Sequence, residues 1–329
     1  MITSRYFALV TTLVVFLVAY ALCIAQFPNM LSTRVLGNLL TDNAFLGIAA
    51  VGMTFVILSG GIDLSIGSVI AFAGIFIAVA VGEWGLHPVV AIALVLVLAT
   101  AFGGVMGAMI HFLAMPAFIV TLAGMFFARG MAFVVSTQSV AIAHPFYDWL
   151  QDLWIRLPGG GRLTFVGMVM LAVFAVGIVI AHRTRFGRNV YALGGSRQSA
   201  ELMGVKVART TIGIYALSSF LAGLSGIVLS LYTSAGYSLA AVGVELDAIA
   251  AVVIGGTLLT GGSGFVAGTF LGIMIMGLIQ TYIVFDGTLS SWWTKIVIGI
   301  LLFAFIVLQR GLVWLSARRG GAALGHSPA

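Results

Sequence analysis

The chain has 329 residues, of which 61% are hydrophobic and only 7% are charged, and its mean hydropathy is +1.20. A soluble domain carries roughly 25% charged residues, so the composition excludes a water-soluble protein and predicts an integral membrane protein. The formal charge of +6 does not indicate nucleic acid as a partner, because the basic residues flank apolar stretches as membrane topology requires.

Apolar stretches follow one another along almost the whole chain. A helix needs about 20 apolar residues to cross a membrane, and helices satisfy their own backbone hydrogen bonds in lipid. The alternating pattern of an outer-membrane barrel is absent. The first stretch is longer than the roughly 7–15 residues of a signal-peptide core, so we interpret it as a retained span. We therefore predict an all-α polytopic membrane helix bundle of about ten transmembrane helices, at about 6–26, 44–59, 64–82, 89–111, 117–136, 163–181, 211–233, 246–260, 264–285 and 292–314.

The charged residues divide between the two ends of these predicted spans. Ten of the fifteen basic residues fall on the side of the termini and of the segment His182–Thr211, whereas seven of the nine acids fall on the other side. The positive-inside rule therefore predicts that both termini and this segment are cytoplasmic. Residues 1–315 are predicted to form the membrane domain, and residues 316–329 a disordered cytoplasmic tail.

An internal repeat relates two parts of the chain. The sequence Ile-Ala-Ala-Val at 48–51 recurs at 249–252, and the pattern [ST]-G-G-x5-G at 59–67 recurs at 260–268 with the same offset. Chance is the alternative in a chain with 42 glycines, but the flanking apolar identities favour a duplicated core. Internal repeats are common in transporters.

Polar residues within or beside the predicted spans are candidates for a translocation path or gate. Asp63 follows a glycine pair and would act at a hinge between two spans, with a plain capped turn as the alternative. Arg129 interrupts an apolar span, so it lines a polar path or is a snorkelling or structurally paired side chain. For the others, an interfacial structural role is the alternative to substrate contact. The candidates are Asn43, Thr54, Asp63, Thr121, Arg129 and Gln280.

Motifs for catalysis are missing from the sequence. G-x4-G-K-[ST] and H-E-x-x-H do not occur, the five histidines are scattered, and Cys23 is the single cysteine. We therefore predict no catalytic residues, no metal site and no cofactor on this chain.

The segment His182–Thr211 is the most highly charged part of the sequence, with six basic residues against one acid. Ser196 is a good N-cap and Gly204 a good C-terminal cap, which predicts a helix at Arg197–Met203. A helix of seven residues is well below the ~12–15 residues needed for isolated stability, so it must be held against something. We predict a docking helix for a cytoplasmic subunit, with a basic loop that only obeys topology as the alternative. Its candidate residues are Ser196, Arg197, Ser199, Glu201 and Gly204.

Several stretches together carry a family resemblance. They are VGMTFVI at 51–57, SGGIDLS at 59–65, PAFIVTLAGM at 116–125, TRFGR at 184–188, ALGG at 192–195 and IGGT at 254–257. In combination they resemble the membrane permease subunits of bacterial ABC sugar importers of the ribose type, over nearly the whole chain. Within that family, residues 40–47 and 286–295 look most like the permease of the galactofuranose importer. Ribose-type members carry Gly-Gly-Asn before the cytoplasmic helix, whereas here Ser196 follows the two glycines.

The resemblance implies a permease of the bacterial inner membrane, surrounded by lipid, that receives a sugar from a periplasmic binding protein. It implies a second permease subunit, in a homodimer or a heterodimer, and a cytoplasmic ATPase that binds ATP and magnesium and acts through residues 196–204. Galactofuranose, or a related pentose or hexose, is implied as the substrate by resemblance alone. Two alternatives remain: an ion-coupled secondary sugar transporter, for which the sequence offers no clearly placed mid-membrane carboxylate, and a membrane scaffold or receptor without flux.

Overall fold

The computed structural model describes residues 7–290 and 292–323, with side chains described for residues 8–290 and 292–307. Most of the described chain is α-helical, which confirms the all-α class. The α-helices are α1 (Phe7–Gln26), α2 (Thr33–Asp42), α3 (Ala44–Leu58), α4 (Ile66–Gly82), α5 (Pro88–Phe112), α6 (Ala117–Val135), α7 (Pro145–Gln151), α8 (Phe165–Arg183), α9 (Arg185–Gly195), α10 (Arg197–Leu202), α11 (Val207–Thr233), α12 (Val244–Ile254), α13 (Val266–Asp286) and α14 (Trp292–Ala323). A 3-10 turn at Pro28–Leu31 links α1 to α2.

The lengths of the helices confirm a polytopic membrane bundle. Within the described residues, six helices are long and apolar enough to cross a membrane, namely α1, α5, α6, α8, α11 and α13. Helices α2 and α3 meet at a bend of 56° and together make a seventh candidate span. Two shorter apolar helices follow the same pattern, α4 and the part of α14 at Trp292–Val307.

One predicted crossing is only half a span. Residues 246–260 were expected to cross the membrane, but α12 has 11 residues, or about 16 Å at 1.5 Å per residue. That is about half of the ~30 Å hydrocarbon core. The helix ends early because Gly255 and Gly256 follow it, and Gly256 takes a positive φ of +88° that suits glycine far better than other residues.

Helix α11 lies at the centre of the bundle. It packs most extensively against α5, α3 and α4, and serines and glycines line much of its buried surface. Small residues allow helix backbones to approach closely in a membrane protein. At Gly107 of α5, for example, an added Cβ would lie 2.8 Å from the Cα of Ile212. The core is therefore built on close contact between helix backbones.

The predicted repeat is present as two helix–break–helix units. The first consists of α3, a break at residues 59–65 and α4; the second consists of α12, a break at residues 255–265 and α13. Gly60 and Gly261, which correspond in the repeat, both take a positive φ, of +81° and +84°. The two units pack against each other through α3, α12 and α13. This arrangement confirms the duplicated core.

Short strands lie at the end of the bundle that carries most of the acids. Strand β1 (Val140–Ala141) pairs with the later strand β4 (Ala235–Gly236) in antiparallel fashion. Strands β2 (Trp154–Arg156) and β3 (Arg162–Thr164) form a hairpin, closed by a hydrogen bond from the backbone N–H of Leu157 to the carbonyl of Gly161 at 2.9 Å.

Helix α14 continues to Ala323, past residue 315, where the sequence was expected to leave the membrane domain. Residues 316–323 of the predicted tail are the last residues of this helix. Residues 1–6 and 324–329 lie outside the described residues, so a disordered tail stays a prediction. The basic residue Arg5, which contributed to the charge balance, also lies outside them.

Candidate functional site

The predicted short helix of the basic segment is present as α10, one residue shorter than expected. The side-chain oxygen of Ser196 accepts a hydrogen bond from the backbone N–H of Ser199 at 3.2 Å, which is the geometry of an N-cap. At the other end Gly204 takes a φ of +79°, and its N–H donates to the carbonyl of Glu201 at 2.9 Å. Local capping therefore fixes both ends of α10.

Helix α10 turns one side toward the bundle and one side away. Ala200 is fully buried, whereas Leu202 and Met203 are 84% and 71% exposed. Nε of Arg197 pairs with Oε1 of Glu201 at 3.3 Å on the exposed side. The exposed side of α10 therefore carries two apolar side chains beside an ion pair, in the most charged segment of the chain.

The structure adds a second helix, α9, that the sequence analysis did not predict. The side chain of Thr184 caps it by accepting a hydrogen bond from the N–H of Gly187 at 3.1 Å. Val190 is fully buried, and the ring of Phe186 packs against that of Phe55 at 6.2 Å. The signal was present in the sequence, since a Thr of N-cap type precedes apolar residues at the helical spacing of 186, 190 and 193. Helix α10 therefore follows directly on a longer helix, α9, that packs against the bundle.

The end of α9 lies against both helix breaks. The backbone N–H of Gly262 donates to the carbonyl of Leu58 at 2.8 Å and joins the two breaks. A Cβ on Gly194 would overlap that same carbonyl and lie 2.6 Å from the nitrogen of Gly262, and a Cβ on Gly261 would lie 2.7 Å from the nitrogen of Gly60. We call this contact the glycine junction; it comprises Gly60–Gly61, Gly194–Gly195 and Gly261–Gly262.

A side chain adds a further link between α9 and the second break. The hydroxyl of Tyr191 donates to the carbonyl of Gly264 at 2.8 Å. A single residue, Ser196, separates α9 from α10, so α10 follows directly on the helix that contacts the glycine junction.

Asp63 lies in the first break with no exposed surface. Its Oδ1 accepts hydrogen bonds from the backbone N–H of Ser65 at 3.0 Å and from the Ser65 hydroxyl at 2.6 Å. Its Oδ2 accepts from the hydroxyl of Ser218 on α11 at 2.7 Å. The hydroxyl of Tyr215 donates to the carbonyl of Ile62 beside it at 3.4 Å. The geometry is that of a capped turn fastened to α11, and a gating role for Asp63 stays a prediction.

Thr54 and Thr121 are both buried between helices. The hydroxyl of Thr54 bonds to that of Thr269 on α13 at 2.8 Å and to the carbonyl of Ala50 at 2.6 Å. The hydroxyl of Thr121 donates to the carbonyl of Ala117 at 2.8 Å. Thr54 thus joins the first helix of one repeat to the second helix of the other, and neither threonine is exposed.

Arg129 is half-buried and hydrogen-bonds to the loop that follows β4. Its Nη1 donates to the carbonyls of Ser238 at 2.6 Å and of Ala240 at 2.8 Å. This geometry is the structurally paired alternative named for Arg129, because the partners are backbone carbonyls next to β4. Thr121 lies eight residues earlier on α6, about 12 Å along the helix, so the two residues do not meet.

The remaining two candidates meet at a cavity. Asn43 and Gln280 both line a cavity of about 330 Å³ formed by the start of α3, the start of α12, the last third of α13 and the start of α14. We call it the distal cavity, because α3 begins there and ends at the glycine junction. Its polar lining consists of Asp42, Asn43, Asp247, Gln280, Thr294 and Lys295.

Two of these lining residues, Asp247 and Lys295, form an ion pair that the sequence analysis did not predict. Nζ of Lys295 lies 2.7 Å from Oδ1 and 2.6 Å from Oδ2 of Asp247, so the pair closes one side of the distal cavity. The sequence analysis counted Asp247 only toward the charge balance. The available signal was Lys295 itself, a basic residue at the end of the bundle where most of the acids lie.

Taken together, a polytopic helix bundle with a duplicated helix–break–helix core, a polar cavity at one end and a capped helix on the charged segment at the other defines a membrane permease. The chain belongs to the family described as branched-chain amino acid transport system, permease component, whose sequence profile matches residues 35–306.

Relatives that are named as permeases align over nearly the whole chain. It is 63% identical over 316 residues, 96% of each chain, to the inner membrane ABC transporter permease protein YjfF of Escherichia coli (strain K12). It is 37% identical to the fructose import permease protein FruG of Bifidobacterium longum (strain NCC 2705), over 91% of this chain and 89% of the relative. It is 35% identical to the ribose import permease protein RbsC of Escherichia coli (strain K12), over 91% and 92%. No solved structure matches the chain.

Proposed function

We propose that the chain is the permease subunit of an ATP-driven ABC importer for a monosaccharide. Support comes from the relatives that are named as an ABC transporter permease and as fructose and ribose import permeases. The structural observation that carries the proposal is the contact of α9 with the glycine junction. Helix α10 follows α9 directly, so a partner that moves α10 would act on both repeats through α9. The chain is proposed as a transport subunit because its relatives are permeases, and ATP hydrolysis is assigned to a separate chain because this sequence holds no P-loop motif.

The partner that supplies the energy is a cytoplasmic ATPase that binds ATP and magnesium. It docks on α10, where Leu202 and Met203 offer apolar surface and the pair of Arg197 and Glu201 offers polar contacts. Ser196 and Gly204 hold the ends of this helix. Exposed ion pairs contribute little to stability, so the pair is available to a partner at small cost to the fold.

Movement at the glycine junction reaches the distal cavity through two helices. Helix α3 has 15 residues, so it extends about 22 Å from Ala44 at the cavity to Leu58 at the junction. Helix α13 runs the opposite way, from Val266 beside the junction to its last turns at the cavity. The bond of Thr54 to Thr269 joins the two helices near the glycine junction, within the last turns of α3 and the first turn of α13. Such helices rock as rigid bodies in alternating access.

The membrane setting follows from the charges and from the relatives. The proposal places the chain in the inner membrane of a bacterium, with both termini and α10 in the cytoplasm and the distal cavity facing the periplasm. A periplasmic sugar-binding protein delivers substrate at that face, and a second permease subunit, identical or different, completes the membrane unit. Galactofuranose is the first sugar to test, because residues 40–47 and 286–295 resemble that importer's permease.

The test is reconstitution of the chain with its ATPase, binding protein and second permease in vesicles, with uptake of labelled sugar as the readout. ATP-dependent uptake is expected with the native chain and is expected to be lost with Leu202→Asp, which places a charge on the docking surface. Ile155→Asp is the matched control for docking itself, measured as co-purification with the ATPase, because Ile155 is an exposed apolar residue of β2 at the opposite end of the bundle. Equal retention of the ATPase by both variants would contradict docking through α10.

A secondary carrier is the competing function, and the buried carboxylate of Asp63 is the feature that favours it. Asp63 is fully buried, and within the described residues no ion pair involves it. An intramembrane carboxylate is a common site of ion coupling. Sugar uptake by vesicles under a proton or sodium gradient, without ATP or the ATPase, would overturn the importer proposal and support the carrier.

A further inference from the structure

The distal cavity has the size and lining of a binding site for one small ligand. Its volume is about 330 Å³, at the lower end of the roughly 300–1,000 Å³ that ligand pockets occupy. Two carboxylates, two amides, a hydroxyl and an ammonium group line it, and the apolar side chains of Phe45, Met276 and Ile298 complete the wall. Several polar groups set against an apolar wall suit a compact molecule that has both hydroxyls and an apolar ring face.

Among the described residues, some of these polar groups already have hydrogen-bond partners within the protein, whereas others do not. The amide nitrogen of Asn43 donates to the carbonyl of Leu39 at 2.9 Å, and Oδ1 of Asp42 accepts from the hydroxyl of Tyr232 at 3.0 Å. In the described part of the chain no hydrogen bond engages the amide of Gln280, which is exposed. An amide supplies both donors and an acceptor, so Gln280 is free to bond to a ligand hydroxyl.

The pair of Asp247 and Lys295 can open for a ligand. The side chains of Lys295 and Asp247 are 57% and 20% exposed, and an ion pair with this exposure is worth little. A ligand hydroxyl that donates to Asp247 and accepts from Lys295 would replace the direct contact while keeping both charges satisfied. This pair joins the start of α12 to the start of α14, so a ligand there would also bridge two helices.

The charges around the cavity define the class of ligand. Asp42 and Asp247 carry two negative charges against the single positive charge of Lys295, so the lining is negative by one charge. An anionic sugar would place a like charge within a few ångströms of the carboxylates, whereas a neutral sugar offers hydroxyl donors to them.

We propose that the distal cavity binds a single neutral monosaccharide and selects against sugar acids and sugar phosphates. Gln280 supplies a hydrogen bond to the ring hydroxyls, and Asp42 and Asp247 supply the selection against negative charge. This inference rests on the proposed function for the choice of a sugar as the ligand. The site and the selection by charge are inferred from the lining of the distal cavity.

The experiment measures equilibrium binding to the assembled importer in nanodiscs, without the binding protein, so that selection by that protein is removed. The probes are a neutral hexose and the uronic acid with the same ring. We expect the neutral sugar to bind the native complex at least about tenfold more tightly than the uronic acid. The double variant Asp42→Asn/Asp247→Asn is expected to reduce that ratio toward one.

A second pair of variants tests the hydrogen bond. Gln280→Met keeps the length of the side chain and is expected to weaken binding of the neutral sugar about fivefold, the effect of one lost hydrogen bond. Gln138→Met is the control, because Gln138 is an exposed glutamine in the loop after α6, away from the cavity. Melting temperatures of all variants show whether each complex remains folded.

The outcomes distinguish failure of the proposed binding site from failure of the proposed function. Equal binding of the neutral sugar and the uronic acid, or equal binding by Gln280→Met and Gln138→Met, would overturn the proposed site even if the native complex imports sugar with ATP. A native complex that imports no sugar with ATP would instead overturn the proposed function. Binding of neutral sugar that depends on Gln280, in a complex that ATP does not drive, would leave the site standing and the importer refuted.

Discussion

Gly194→Ala tests the glycine junction most directly. The added methyl group would overlap the carbonyl of Leu58 and lie 2.6 Å from the nitrogen of Gly262, whereas real Cβ atoms essentially never come within 3.0 Å of a neighbour. Because both neighbours are backbone atoms, no side chain can rotate away, and α9 must retreat from the two breaks. Overpacking costs about 1–3 kcal/mol, and we expect the upper end of that range.

Retreat of α9 would also weaken the hydrogen bond from Gly262 to Leu58, which contributes about 1 kcal/mol. A loss of about 3 kcal/mol changes an equilibrium constant by more than a hundredfold. We therefore expect the complex to assemble and hydrolyse ATP, while sugar uptake per ATP hydrolysed falls at least about tenfold. The assay compares uptake and phosphate release in the same vesicles.

Gly195→Ala is the matched control for this substitution. A Cβ on Gly195 would meet no atom within 4 Å, and both substitutions gain the same helix propensity, about 1 kcal/mol in favour of alanine. Neither glycine takes a positive φ, so the difference between the two variants is whether the added methyl group meets the breaks. If Gly194→Ala couples uptake to ATP as well as Gly195→Ala does, the junction does not transmit the movement of α10.

Three further substitutions test the rest of the site. Ser196→Ala removes the cap of α10, which is expected to cost about 1 kcal/mol and to lower ATP-driven uptake, whereas Ser196→Thr keeps a capping hydroxyl and should leave uptake unchanged. Glu201→Gln is expected to reduce uptake without changing the amount of protein in the membrane, measured by quantitative blotting; full uptake would show that the exposed ion pair plays no part in docking. Asp63→Ala leaves Ser218 without its acceptor, so we expect a loss of about 1–3 kcal/mol in denaturant unfolding, larger than that of Ser218→Ala, and an unchanged midpoint would contradict the fastening of the first break to α11.

Features that depend on neighbouring residues in the sequence were predicted well. Ser196 and Gly204 stand at the ends of α10 as their capping chemistry requires, since a cap is formed with backbone groups only a few residues away. The repeat was also readable, because corresponding glycines are set by the same backbone conformation. The length of α12 was not, because apolar composition continues past Gly255 although the helix does not.

Features that depend on distant residues could not be predicted from local patterns. Lys295 meets Asp247 across 48 positions of the sequence, and Arg129 is satisfied by backbone carbonyls that any residue would supply. Thr54 was named for a polar path, but its partner Thr269 lies on the other repeat. A polar residue in an apolar helix shows that a partner is needed; only the packing of the helices shows whether that partner is protein or substrate.

The glycine junction and the distal cavity lie at opposite ends of the same two helices, α3 and α13. Helix α3 has the junction at its last residue and the cavity at its first, about 22 Å apart, which is beyond the 7–10 Å at which substitutions begin to act independently. Gly194→Ala should therefore lower sugar uptake per ATP hydrolysed at least about tenfold while leaving the affinity of the distal cavity for a neutral sugar unchanged. Gln280→Met should do the reverse, weakening affinity while ATP remains coupled to movement. If Gly194→Ala also weakens sugar binding in the absence of ATP, contacts at the junction set the resting position of α3. The glycine junction and the distal cavity would then be coupled through α3 rather than independent.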